Sequence, residues 1–286
     1  MLDTAIVDTH VHLWDPDQLS YAWHADAPKL SRRYLLDEYR QACGSTQVER
    51  MVFLECDCDH KQSHDEVAMV TKLAAKDPRL QGIVAFAPLE LGAGVGDELA
   101  KLKKNPLVKG VRRITQSESD ADFCNRPDFV KGTQLLSEYG LSSDLCINHT
   151  QLANNVRLVQ ACPQVNFILD HIGKPDIRNG QMQPWAAGMK ELAAQPNAWC
   201  KLSGVVTEAD PDNWTYDQVA PYMQQALDCF GPNRLIYGGD WPVVTLAAEY
   251  PRWVECIEKF LAQLSPDERR RVLHDNAIEF YQLGKK

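Results

Sequence analysis

No stretch of this sequence stays apolar for the roughly 20 residues that a membrane helix needs. Basic clusters are nearly absent as well. Arg269-Arg270-Arg271 is the one tight run, and it falls in a helical pattern. The 30 Lys and Arg are outnumbered by 39 Asp and Glu, for a net charge of −9. Such a surface repels phosphate backbones and anionic bilayers, so neither nucleic acid nor membrane is expected as a partner. The nine cysteines are odd in number and scattered, and Cys146, Cys200 and Cys256 sit in apolar runs. They read as buried thiols, and no disulfide framework is expected in a chain with room for a large core. The start of the chain carries Asp3 and Asp8 and lacks the apolar core of a signal peptide, so a cytoplasmic location is expected. No low-complexity tract or linker interrupts the sequence, and residues 1–286 read as one domain.

What the sequence does contain is a regular alternation. Short β-branched runs occur at Ala5–Val7, Arg50–Leu54, Gly82–Ala87, Lys109–Ile114, Asp144–Ile147, Asn166–Asp170, Ala198–Leu202 and Arg234–Tyr237. Amphipathic segments separate them, and two more close the chain, at Arg252–Leu264 and Asp267–Tyr281. Each strand-to-strand crossover through a helix demands parallel pairing. Eight such repeats at about thirty residues each predict a (β/α)8 TIM barrel of the α/β class. An open doubly wound sheet shares the alternation, and the count of eight favours closure.

In a barrel of this kind the chemistry lies beyond the C-terminal ends of the strands. His10 and His12 follow the first apolar run one residue apart, so a strand points both the same way. The later strand ends add Glu55, Arg112 and Arg113, Asn148 and His149, Asp170 and His171, Lys174, Lys201 and Ser203, and Asp240 with Trp241. The long first loop holds Trp14, Tyr21, Trp23 and His24, residues that suit a hydroxylated ring or plug the barrel mouth. Two motifs read as decoys. Cys56-Asp57-Cys58-Asp59-His60 with His64 lacks the second cysteine pair that a structural zinc site uses. Gly92-Ala93-Gly94-Val95-Gly96 misses the spacing of a dinucleotide loop.

The ordered set Val7-Asp8-Thr9-His10-Val11-His12, Lys109-Gly110-Val111-Arg112, Asp170-His171-Ile172-Gly173-Lys174-Pro175, Lys201-Leu202-Ser203-Gly204 and Gly238-Gly239-Asp240-Trp241-Pro242 spans nearly the whole chain. With it the sequence resembles the amidohydrolase superfamily, and within it the amidohydrolase-2 group of sugar-lactone and pyrone-dicarboxylate lactonases. The resemblance implies a barrel with His10, His12, His171 and Asp240 as the reaction centre. It departs from the metal-rich branches, which carry a carboxylated lysine on the fourth strand where this chain has Arg112. That substitution speaks against two metals. One divalent ion, zinc first, on His10, His12, His171 and Asp240 is compatible with the donor set, and so is none.

The expected reaction is hydrolytic opening of a small-molecule lactone. Asp240 would act as general base on water. His10, His12, His171 and Arg112 would stabilise the oxyanion. Arg112, His149, Trp23, His24 and Glu55 are the expected substrate contacts, and a sugar (aldono-) lactone is the first choice of substrate. Alternatives on the same barrel are a pyrone-dicarboxylate or muconolactone-type lactonase, a metal-dependent non-oxidative decarboxylase, and a binding barrel without chemistry.

Overall fold

A computed structural model describes residues 5–284; the remaining residues of the expected 1–286 domain lie outside that range. Eight strands form one parallel sheet in sequence order. They are β1 Ile6–Val11, β2 Val48–Leu54, β3 Leu80–Ala85, β4 Val108–Arg112, β5 Ser142–Leu145, β6 Phe167–Leu169, β7 Ala198–Leu202 and β8 Leu235–Tyr237. The sheet curls until its edges meet. Thr9 Oγ1 donates to the Tyr237 carbonyl at 2.7 Å. His12 N donates to the Trp241 carbonyl at 2.8 Å. This is the (β/α)8 barrel that the alternation predicts.

The outer layer comprises α1 Leu36–Cys43, α2 Ser63–Ala74, α3 Gly96–Lys103, α4 Pro127–Leu135, α5 Leu152–Ala161, α6 Trp185–Ala193, α7 Tyr216–Phe230 and α8 Tyr250–Leu261. Each shows the spacing of an amphipathic helix. In α8, Trp253, Val254, Ile257, Phe260 and Leu261 are buried at three- and four-residue intervals. A capping box starts the last helical stretch. Ser265 Oγ accepts from Glu268 N, and the Glu268 carboxylate returns to Ser265 N at 2.9 Å. The last expected helix is divided in three: α9 Pro266–Arg270, a π turn at Arg271–Asp275, and α10 Asn276–Tyr281.

The barrel interior has two levels. Val7, Val52, Leu54, Val84, Ile168 and Ile236 fill the lower one, and Phe280, Tyr281 and Leu283 close it from below. Above them the interior turns charged, with Arg112, Asp144, Asp170 and Lys201 all buried.

β1 runs four residues further than its apolar stretch and is irregular. Asp8 pairs with Met51 and Val11 with Phe53, so β1 spends three steps where β2 spends two. The extra residue reverses the alternation. Val7 faces the inner core and Val11 the outer one, while His10 and His12 point inward above Val7. Asp8 faces outward, where its carboxylate accepts from Tyr39 at 2.7 Å, Tyr250 at 2.8 Å and Gly239 N at 2.7 Å. This buried hub ties β1 and its helices to the loop after β8.

Candidate functional site

Four side chains from three strand ends meet at the top of the barrel. His10 Nε2 lies 3.6 Å and His12 Nε2 3.7 Å from Asp240 Oδ1. His171 Nδ1 lies 4.0 Å from Asp240 Oδ2. All four residues are buried.

The tautomers follow from the surroundings. His12 Nδ1 is 2.9 Å from the Leu54 carbonyl and must donate to it, so its Nε2 lone pair faces Asp240. Arg112 Nη1 approaches His10 Nε2 at 3.4 Å as a donor. His10 Nδ1 is then the protonated nitrogen. It sits 3.6 Å from Asp170 Oδ1 without a hydrogen bond. Two unprotonated imidazole nitrogens thus lie near one carboxylate oxygen, that of His12 unpartnered and that of His10 also approached by Arg112. The donor atoms of His10, His12 and Asp240 lie within 4.8 Å of one another, as do those of His10, Asp170 and His171. The first set has the donor types and spacing to hold one divalent ion, with Asp170 behind His10 as its outer partner.

Backbone strain concentrates here. His171, Ile172, Lys174, Asp240 and Asp57 all have positive φ, a conformation that side chains rarely adopt. Glycines make room for them. A methyl group on Gly204, at φ +57, would strike the His171 ring and lie 3.1 Å from Asp240 Oδ2. One on Gly238 would lie 2.7 Å from His10 Cβ. Gly204→Ala should therefore keep the barrel but push His171 off Asp240. We expect kcat/KM to fall by about 10²-fold, as for other angstrom-scale displacements, with circular dichroism unchanged; wild-type kinetics would refute this account.

The charges are set by the same geometry. Burial raises the Asp240 carboxyl, but the neighbouring His171 and Lys174 act against it, and the group is held below the usual carboxylate range. Burial lowers His171 to about 4, and lowers His10 well below the ordinary imidazole value. Asp240 is therefore ionised and these two histidines are neutral near pH 7.

A chain of ion pairs supports the site from beneath. Arg112 Nε holds Glu55 at 3.0 Å and its Nη1 holds Asp170 at 3.1 Å. Lys201 Nζ holds Asp144 at 2.6 Å and Asp170 at 2.9 Å. Tyr281 donates to Asp144 at 2.7 Å, so the network reaches the barrel floor. Burial opposes ionisation of Asp170, yet Lys201, Arg112 and His171 hold its carboxyl at about 2.

Above the four residues opens a cavity of about 370 Å³. His12, His171, Asp240 and Arg112 line it, with Trp14 and Trp23 on one side and Lys174 with Glu208 among its other polar groups. The expected substrate contacts are distributed unevenly. Trp23 reaches the cavity, anchored by its Nε1 on the Cys56 carbonyl at 2.8 Å. His24 lies against Trp23, ring centroids 4.3 Å apart, and is not part of the lining. Glu55 is buried against Arg112. His149 is half-buried outside the lining, and its Nδ1 donates to the Lys174 carbonyl at 2.9 Å.

Lys174 was legible as part of a strand-end run but had no assigned role. Glu208 carried no signal, because it follows an unremarkable Val205-Val206-Thr207 turn. The decoys are spent locally. His64 pairs with Glu98 at 2.6 Å and His60 stacks on Phe86. Cys56 and Cys58 are buried, and neither belongs to a metal-competent set among the described residues.

A family model for amidohydrolases matches residues 7–283. The chain belongs to the amidohydrolase family. Among its amidohydrolase relatives, an L-fucono-1,5-lactonase of Burkholderia multivorans is 30% identical over 293 residues, covering 97% of this chain and 96% of the relative. An L-fucono-1,5-lactonase of Burkholderia ambifaria is 28% identical over 287 residues, covering 98% and 96%. A crystal structure of a zinc-bound amidohydrolase from Burkholderia multivorans superimposes with a TM-score of 0.89 at 28% identity, covering 98% of this chain and 100% of that one.

Proposed function

We propose that the protein hydrolyses lactones, with a neutral sugar lactone as substrate. One observation carries the reading: an ionised Asp240, ringed by three imidazoles, lies at a cavity large enough for one sugar ring. The names of the two similar L-fucono-1,5-lactonases support it and make L-fucono-1,5-lactone the first compound to try.

Asp240 Oδ1 faces His10 and His12, which leaves Oδ2, on the His171 side, to take a proton from the attacking water. The hydroxide adds to the lactone carbonyl. As the tetrahedral species collapses, the ring C–O bond breaks, and Asp240 returns its proton through His171 to the departing oxygen. Arg112 is held by Glu55 and Asp170 and keeps positive charge beneath the developing oxyanion. A divalent ion on His10, His12 and Asp240, when bound, would polarise the carbonyl and share the oxyanion's charge.

The arginines near the cavity support a neutral substrate. Arg113 turns away from the cavity to Glu90 at 3.1 Å and Glu118 at 2.7 Å. Arg112 is already engaged by two carboxylates. A pyrone dicarboxylate would need guanidinium groups that this pocket has committed elsewhere.

The test is a pH-indicator screen across aldonolactones, muconolactone-type compounds and pyrone dicarboxylate. Acid release from a neutral aldonolactone is the expected result. Carbon dioxide release from an aromatic acid, with no lactone opened, would overturn the reading. Metal content is tested separately. We expect about one divalent ion per chain in the purified protein, and a drop in activity after chelation that added zinc reverses. Full activity in a demonstrably metal-free sample would confine the chemistry to the side chains.

A further inference from the structure

The cavity wall carries two carboxylates that the hydrolytic scheme does not use: Asp57, which lies 3.7 Å from His60, and Glu208. Glu208 follows β7 in the turn Val206–Glu208 and lines the same cavity as Asp240 and His171. Its backbone is fixed, since Glu208 N donates to the Val205 carbonyl and its own carbonyl accepts from Arg178 N. Its side chain is different. Among the described residues, no hydrogen bond or ion pair reaches the Glu208 carboxylate, although the residue is only partly exposed. Its oxygens are not among the water-excluded polar atoms of the described residues, so the carboxylate stays open to a ligand in the cavity.

Across the same cavity stands Lys174, the one cation of the lining that no carboxylate pairs among the described residues. Its Nζ donates to Gln116 Oε1 at 2.5 Å, a neutral partner. The loop is rigid here: Lys174 N donates to the His171 carbonyl at 2.9 Å, and Lys174 itself has positive φ. Lys174 and Glu208 thus offer a donor and an acceptor on fixed backbone above the reacting carboxylate. Burial pushes the Glu208 carboxyl above its usual value, with Asp240 and Asp176 adding to the rise, while Lys174 and His149 favour its ionised form.

We infer that Glu208 and Lys174 form the specificity-determining pair of the cavity, reading ring hydroxyl groups of the lactone. Glu208 accepts hydrogen bonds from a hydroxyl, Lys174 donates to one, and Glu208 repels lactones that carry a carboxylate or sulfonate. The inference rests on the lactonase reading and goes beyond it, because it assigns the preference for neutral, hydroxylated rings to two named side chains. Neither residue touches the bond that breaks. Their contribution is to recognition, and it should appear as a ratio between substrates.

The experiment measures kcat/KM on three compounds: a polyhydroxylated aldono-1,5-lactone, δ-valerolactone with no hydroxyl groups, and a carboxylated lactone. It uses the full-length protein and its Glu208→Ala, Glu208→Gln and Glu208→Lys variants. In Glu208→Ala the ratio of the aldonolactone to δ-valerolactone should fall by about 10–10²-fold, the loss expected for a charged hydrogen bond to substrate. Glu208→Gln keeps an acceptor oxygen and should lose less. Glu208→Lys should raise the carboxylated lactone relative to the neutral one.

An unmoved aldonolactone ratio in both Glu208→Ala and Glu208→Gln would overturn the inference, as would equal loss on all three compounds in folded protein. The parent separates the two layers of the argument. If the wild-type protein opens no lactone, the lactonase reading fails. If it prefers the aldonolactone but the ratio does not move in the variants, only the assignment of Glu208 fails.

Discussion

Asp240→Asn should leave the protein folded and lower kcat for lactone opening by at least about 10³-fold, toward the upper end for loss of a general base. The substitution removes the charge and keeps the shape, so the packing around residue 240 survives. What disappears is the oxygen that can take a proton and the charge that His10, His12 and His171 surround. The pH profile gives an independent reading of the same group. Asp240 is held below the usual carboxylate range, and burial lowers His171 to about 4. A base with a depressed pKa is competent above that value and lost as pH falls through it. The parent should therefore show a flat kcat/KM through the neutral range and an acid limb near or below pH 4. A variant with undiminished kcat would remove Asp240 as the base. An acid limb near pH 6 would show that His171 titrates where an ordinary imidazole does, against the burial described above.

The barrel was legible in the sequence because its signal is global. Eight apolar runs at regular spacing tolerate errors at each end, and strand boundaries shifted by a few residues without altering the topology. The reaction centre was legible because strand ends in a barrel converge. His10, His12, His171 and Asp240 do meet there. The local devices were not legible. The irregularity in β1 that turns His10 and His12 inward is one extra residue, invisible to a two-residue period. The role of Asp8 depends on Tyr39 and Tyr250, which reach it from helices distant in sequence. His24 looked like a pocket residue because loop residues have no period to fix their direction, and it packs behind Trp23 instead. Arg112 reads as a substrate clamp from its position alone. Its bonds to Glu55 and Asp170 appear only when three strands are brought together.

The largest effect on stability should come from Lys201, which is wholly buried and bonds both Asp144 and Asp170. Lys201→Met fills much of the same space but leaves two carboxylates in the barrel with less compensation. Breaking a buried pair from one side costs about 3–5 kcal/mol, and chemical denaturation should register a loss of that size at neutral pH. The pH dependence distinguishes charge from packing. In the parent, Asp170 is held at about 2, so its contribution is present above the unfolded carboxylate value and is lost as pH falls toward 2. In Lys201→Met the carboxyl of Asp170 rises, and protonation relieves the orphaned charge. The gap between parent and variant should therefore narrow on going from neutral pH to about pH 4. A gap that stays constant would mean that the lysine stem, not its charge, supports the barrel. The double variant Lys201→Met with Asp144→Asn should recover part of the loss, because it removes one of the two stranded charges. Activity is coupled to the same network through Asp170, which also anchors Arg112 below the reaction centre. Lys201→Met protein that remains folded should thus turn over more slowly, and Asp144→Asn alone, which leaves the Lys201–Asp170 contact in place, should slow it less.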